Sequence, residues 1–475
     1  MRDNKGQGQN TVLQYIIIVL VIITLVGAWM AWSSSGEGIS KDDLDEALQD
    51  TATKEDIGQA TNDILEVIRG GEITRTDVVN YFTDKTWDDA ESILTEAGIE
   101  TAAPEEKKLK AGFIYVGPPG DFGWTYGHDR GRTIVDDKFD WLETVTAESV
   151  APADTGDYID SMFEDGADIV FTTSFGYLEP TVKKGEDWPN KMLYHCSGGP
   201  LPYEQITGEE FKSNNVGFYF ADFYQIYYMN GLMAGALTET NKIGYVAAHT
   251  TSEVVRHLDA FMLGAKEVNP DIQMKVVETG EWYDPGASTT ATETLISWGA
   301  DSIAFTVDSP AVVQTCQSHY EETGERVYSF SHYSPMKSQG SDVVLSGQLV
   351  KWEQLYEDLL LKARSGVIEN FQHWRLLQSG AVEMGSAWNE PINPEFVDDL
   401  QAETVTDPVF GEISVYELIM NRLEQFKQLR VNYHPFTGPI YDSEGNLKLK
   451  EGQILHQDNL RFGMDWYIEG TIPPE

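Results

Sequence analysis

Basic residues are scarce: 33 Lys and Arg stand against 77 Asp and Glu, a formal charge of −44 over 475 residues. No Lys/Arg cluster interrupts that excess, so a nucleic-acid partner is excluded and an anionic lipid surface is disfavoured. Cysteine is scarcer still. Cys196 and Cys316, the only 2, offer neither a disulfide framework nor metal-ligand spacing, and both sit in apolar runs that suit a small buried side chain. His195, His332 and His434 are scattered and make no HExxH or Cys/His pattern, so no metal is expected. The sequence has no G-x-G-x-x-G loop, P-loop, G-x-S-x-G elbow or kinase signature, which leaves no enzyme class and no cofactor indicated. Hydrophobic content of 41% with 11% aromatics, and acid spread along the chain, predict a folded protein whose self-repulsion high salt would screen.

One long apolar run stands out, VLQYIIIVLVIITLVGAWMAW at 12–32, whose 21 uncharged residues match a bilayer-spanning helix. Arg2 and Lys5 precede it and acidic sequence follows, which predicts a cytoplasmic head (1–11) and an extracellular remainder. The run exceeds a usual secretory h-region and no A-x-A-like site follows. The head Lys5-Gly6-Gln7 resembles the archaeal class III (prepilin-like) signal, which implies a helix retained in the membrane and, as one outcome, a homo-oligomer formed through it. Residues 33–108 read as an acidic stalk of short amphipathic helices ending in an Ala102-Ala103-Pro104 linker.

From Leu109 the pattern changes to strand-like apolar runs alternating with helical ones, through nine strands from Ala111–Val116 to Val343–Gly347. Such alternation predicts an α/β fold with parallel sheets covered on both faces. Nine strands exceed one ordinary open sheet, and the series restarts after a helix ending near Thr240. Two Rossmann-like lobes with a central cleft are therefore expected within 109–475, the first at about 109–240 and the second at about 241–350, each completed by C-terminal segments. Function then belongs in the loops at the strands' carboxyl ends. The first, Gly117-Pro-Pro-Gly-Asp-Phe-Gly-Trp124, offers Asp121 as a hydrogen-bond acceptor and Trp124 as a stacking face. On composition alone Asp121 is equally a helix cap and Trp124 equally a plug of the lobe.

FIYVGPPGDFGWTYGHDRGR, GYVAAHTTSEVVRHLDAFMLGAKEVNP, EWYDPGA and HPFTGPIYDSEGN together resemble the BMP (basic membrane protein) family, substrate-binding components of ABC transporters related to purine nucleoside receptors. The match runs in order from about Lys110 to Pro473. It implies a type I periplasmic-binding fold with three hinge crossovers, a small polar ligand trapped by closure, and an ABC permease as partner. Carried over residue by residue, the family's base-binding Asp-x-x-Phe falls on Asp121 and Trp124, flanked by Phe122 and Thr125, and its ribose-binding Asp falls on Asp308 in FTVDSP. Gly120 and Thr125 replace the family's asparagines, so readout of the base differs. Asp308 would accept from two vicinal hydroxyls, or instead cap the helix after Ser309-Pro310. Phe175, Glu253, Arg256 and Trp282 are expected to face the same cleft, although Glu253 and Arg256 also have the spacing of a surface ion pair. Three functions remain open: a surface-anchored receptor for a purine nucleoside or a different solute such as a sugar, a structural surface assembly, and a sensor.

Overall fold

The computed structural model describes residues 108–367, 370–428 and 433–474. The expected head, apolar run and nearly all of the stalk lie outside the described residues. Among the described residues no helix is long and apolar enough to cross a membrane.

In chain order the strands that build the fold are β1 (Leu109–Ile114), β2 (Leu142–Ala147), β3 (Ile169–Thr172), β4 (Met192–Cys196), β5 (Val216–Ala221), β6 (Lys242–Ala247), β7 (Gln273–Glu278), β8 (Ser302–Thr306), β9 (Tyr328–Tyr333), β10 (Val344–Val350), β11 (Gln372–Arg375) and β12 (Val382–Met384). They form two sheets. The first has the order β11-β5-β4-β3-β1-β2 with every pairing parallel. The second runs β12-β10-β9-β8-β6-β7 and gains a last strand, Thr471–Ile472, on the far edge of β7. Only β12 runs antiparallel in it. Both sheets reverse their winding beside the first strand of each lobe, at β1/β3 and at β6/β8. Central strands such as β3 (IVFT) and β8 (SIAFT) are buried on both faces, so they are continuous apolar runs, whereas edge strand β2 is only partly buried.

The two-lobed parallel α/β architecture expected from the sequence is the one found. Its missing pieces are β5, β11 and β12. β5 (VGFYFA) is separated from the aromatic helix Tyr224–Leu237 by only two residues, so no turn residues punctuate the boundary. β11 is four residues of QHWR and β12 is three, too short to show a period.

The chain crosses between lobes three times. The first passage is at 222–223, because the Tyr224–Leu237 helix packs against Ser252–Val268 and β10 of the second lobe; it therefore precedes the helix and does not follow it near 240. The second follows β10, where Trp352–Arg364 returns to pack on Trp124–Lys138 of the first lobe. The third joins β11 to β12.

Helices 224–237 and 252–268 meet along glycines. A Cβ on Gly231 would run into the Phe261 carbonyl, and one on Gly264 into the Tyr228 carbonyl, so backbone packs on backbone. Gly264→Ala is expected to destabilise the protein by about 1–3 kcal/mol through overpacking, read as a lower denaturation midpoint. An unchanged midpoint would mean that the helices re-space without cost.

Beyond β12, the helix Val415–Lys427 opens with a Ser414/Glu417 capping box and covers Tyr224–Leu237. The HPFTGPIYDSEGN segment forms a hairpin, Ile440–Tyr441 against Leu447–Leu449, whose turn is closed by Asp442 Oδ1 accepting from the Glu444 and Asn446 N–H groups.

Candidate functional site

The carboxyl ends of β1, β3 and β4 face those of β6, β8 and β9, so the loops after the two winding reversals meet, as ligand loops do in open α/β sheets. They touch across the cleft: Ser334 Oγ donates to the Phe122 carbonyl at 2.6 Å, and a Cβ on Gly123 would lie 2.8 Å from Asp308 Cα. Only glycine fits there. Between the loops lies a narrow slot with about 20 Å³ of open space.

Its walls are aromatic. Trp124, the first residue of its helix, is fixed by Nε1 donating to the Thr173 carbonyl at 2.6 Å and by edge contacts with Tyr333 (centroids 5.1 Å apart) and Trp352 (5.4 Å). It plugs the lobe and lines the slot at once. Phe175, Trp282 and Tyr333 complete the walls.

Two carboxyl groups enter this apolar space. Asp308 is buried, its backbone N–H donates to the Trp282 carbonyl at 2.7 Å, and its Oδ1 has no partner. Burial, with Asp121 and Glu253 nearby, pushes its carboxyl well above the usual range, partly offset by the Trp124 N–H. Burial likewise raises Glu253 to about 7, against the pull of Arg256 and with a further push from Asp222. Ser174 and Ser197 sit on the opposite, first-lobe side.

Five of the nine residues singled out in the sequence therefore meet in the slot: Trp124, Phe175, Glu253, Trp282 and Asp308. The other four are placed elsewhere. Asp121 accepts from the N–H groups of Gly123 (2.8 Å), Thr125 (2.9 Å) and Tyr126 (2.9 Å), so its carboxylate caps the helix start, which needs acceptors. Thr125 is buried behind the loop, its Oγ1 accepting from Gly117 N–H at 3.2 Å. Phe122, with φ 62°, stacks on Tyr126 and contributes only its carbonyl to the cleft. Arg256 is buried against Asp222, with Nε 3.0 Å from Oδ2, and faces a second chamber outside the slot rather than the slot itself.

Sequence reasoning missed Val116, Ser174, Ser197 and Tyr333. Ser197 (φ 65°) and Tyr333 (φ 62°) hold left-handed backbone, a conformation concentrated at ligand sites and invisible to apolar periodicity. The turn signals Ser197-Gly198-Gly199 and Ser334-Pro335 beside them were the available clue. Among the described residues no group of His, Cys, Asp or Glu is arranged to hold a metal ion.

The profile of the Bmp family, described as ABC transporter substrate-binding protein PnrA-like, matches residues 108–418. This chain belongs to the Bmp family. A purine-binding protein of Brucella abortus is 33% identical over 383 residues, spanning 80% of this Bmp chain and 98% of its own. A Haloferax volcanii protein named as an ABC transporter glucose-binding protein is also 33% identical, over 63% of this chain and 72% of its own. In fold, the Bmp chain is similar to a solute-binding protein of an Aeropyrum pernix ABC transporter system, with a TM-score of 0.53 at 15% identity over 67% of this chain and 87% of that one. The family is one of transporter substrate-binding proteins, which bind small solutes and work with ABC permeases.

Proposed function

We propose that the solute is a purine nucleoside, its base lying between the aromatic walls and its ribose hydroxyls on Asp308. The observation that carries this reading is the unpartnered Asp308 Oδ1 inside a slot walled by Trp124, Phe175, Trp282 and Tyr333. A flat ring gains stacking there, and a buried acceptor without a donor costs about 1–3 kcal/mol until a ligand hydroxyl supplies one. The slot is closed down to about 20 Å³ of open space, so the lobes must part to admit a solute. The Brucella relative, covered almost entirely, supports a purine; the Haloferax relative makes a sugar the competing solute. In this reading the apolar run at 12–32 anchors the protein in the membrane with its binding domain outside.

Adenosine, guanosine and inosine are expected to raise the melting temperature of the full-length protein, whereas glucose leaves it unchanged, since a solute that binds only the folded state must stabilise it. A shift with glucose and none with any purine would overturn the assignment.

A further inference from the structure

We propose that the chamber outside the slot is an anion subsite, so that the solute is a phosphate monoester: with a purine in the slot, a nucleoside monophosphate. The purine half rests on the reading above; the anion half rests on the chamber itself.

The chamber holds about 500 Å³ of open space and adjoins the slot, Phe175, Ser197, Glu253 and Trp282 lining both. A group projecting outward from a solute in the slot enters it. Two guanidinium groups meet there. Arg256 is 0% exposed; it donates through Nε to Asp222 and through Nη1 to the carbonyls of Leu460 (3.1 Å) and Arg461 (2.9 Å), yet Nη2 has no partner. Arg461 lies over the Trp374 ring at 4.7 Å, with Arg256 over the same ring at 5.4 Å. Among the described residues no carboxylate pairs with the Arg461 guanidinium. Asp222 pairs with Arg256, while Arg461 feels Asp222 and Asp458 only at a distance.

The chamber is also where the 252–268 helix begins. Thr251 and Ser252 line it, and Thr251 Oγ1 accepts only from Val254 N–H, which leaves other first-turn N–H groups and the positive end of the helix dipole beside the guanidinium pair. Two acids share the boundary. Glu253 is poised to be half protonated near neutrality, and Asp465 is exposed at the rim. The distant acid of the chain is screened beyond about 8 Å at physiological salt, so the nearby donors set the preference. Planar guanidinium groups and helix N–H groups together match a phosphate oxygen set.

Matched pairs test this: adenosine and AMP, guanosine and GMP, glucose and glucose 6-phosphate, titrated by calorimetry into the full-length protein at fixed ionic strength. The phosphorylated member is expected to bind at least tenfold tighter, and Arg461→Gln to bring that ratio close to one while Arg461→Lys keeps part of it. Nucleosides that bind as tightly as their phosphates overturn the subsite and leave the purine reading intact. A phosphate preference seen only in the glucose pair overturns the purine reading and upholds the subsite. If no member of any pair binds, inorganic phosphate alone decides: a raised melting temperature that Arg461→Gln removes upholds the subsite, and no shift overturns it.

Discussion

Asp308→Asn should lower solute affinity on the order of 100-fold while making the solute-free protein more stable. A site built to receive ligand hydroxyls on a buried carboxyl loses an acceptor and gains unmatched N–H donors when an amide replaces it, whereas the walls and loops keep their shape. The stability gain follows from the position of the proton. Asp308 is raised far above its ordinary value, chiefly by burial and then by Asp121 and Glu253, so the folded state retains a proton that the unfolded chain releases near pH 3.9. A raised pKa contributes stability that is present below the unfolded value and lost as pH rises, by up to about 1.4 kcal/mol per pH unit. The asparagine variant escapes that loss. Its advantage should be negligible near pH 4 and grow towards neutrality, as measured by denaturant titration at a series of pH values alongside solute titration at pH 7. A variant that binds as tightly as the parent would remove Asp308 from the site.

Asp222→Ala is expected to have the opposite character, costing about 3–5 kcal/mol of stability. Asp222 sits at the first crossover and accepts from Arg256 Nε (3.1 Å), His257 Nε2 (3.0 Å) and Trp374 Nε1 (3.1 Å). Burial alone would raise its carboxyl, but the Arg256 charge and the His257 bond outweigh it and hold the group at about 2. Removal leaves the Arg256 guanidinium charged, enclosed and without its counter-ion. The sign with pH reverses that of Asp308: a depressed carboxylate contributes stability above its unfolded pKa, lost as pH falls through the folded one, so the gap between parent and variant should narrow, by up to about 2.5 kcal/mol, as pH falls from about 4 to below 2. Chemical denaturation at pH 7 gives the full difference, and a loss below about 1 kcal/mol would show that the cluster contributes little.

These two aspartates illustrate what the sequence discloses. Asp308 was legible because it ends a buried strand and precedes Ser309-Pro310, and because the family pattern falls on it. The two-lobed fold was legible for a related reason: strands buried on both faces write themselves as apolar runs. Asp121 occupies an equally suggestive motif, but the helix that follows has unpaired N–H groups, and three of them take both its oxygens. The spacing that suits a ligand also suits a cap, and only the backbone's path decides between them. Arg256 shows the same limit. Its spacing to Glu253 fits an exposed pair, yet Asp222, 34 residues earlier, draws it inward. Tyr333 and Ser197 were illegible because left-handed backbone leaves no periodic trace.

The three crossovers and the Thr471–Ile472 strand bear on how the protein is made. The first lobe's sheet is completed by β11 at Gln372–Arg375, and the second lobe's by residues 471–472, paired to β7 nearly two hundred positions earlier. Neither lobe is contiguous in sequence. A chain growing from its amino terminus has five strands of one sheet in hand early but must wait for its sixth until the other sheet is almost finished, and that other sheet waits for residues 471–472. The growing chain therefore carries two incomplete sheets with open edges until these late segments arrive, and open edges are where neighbouring chains can join.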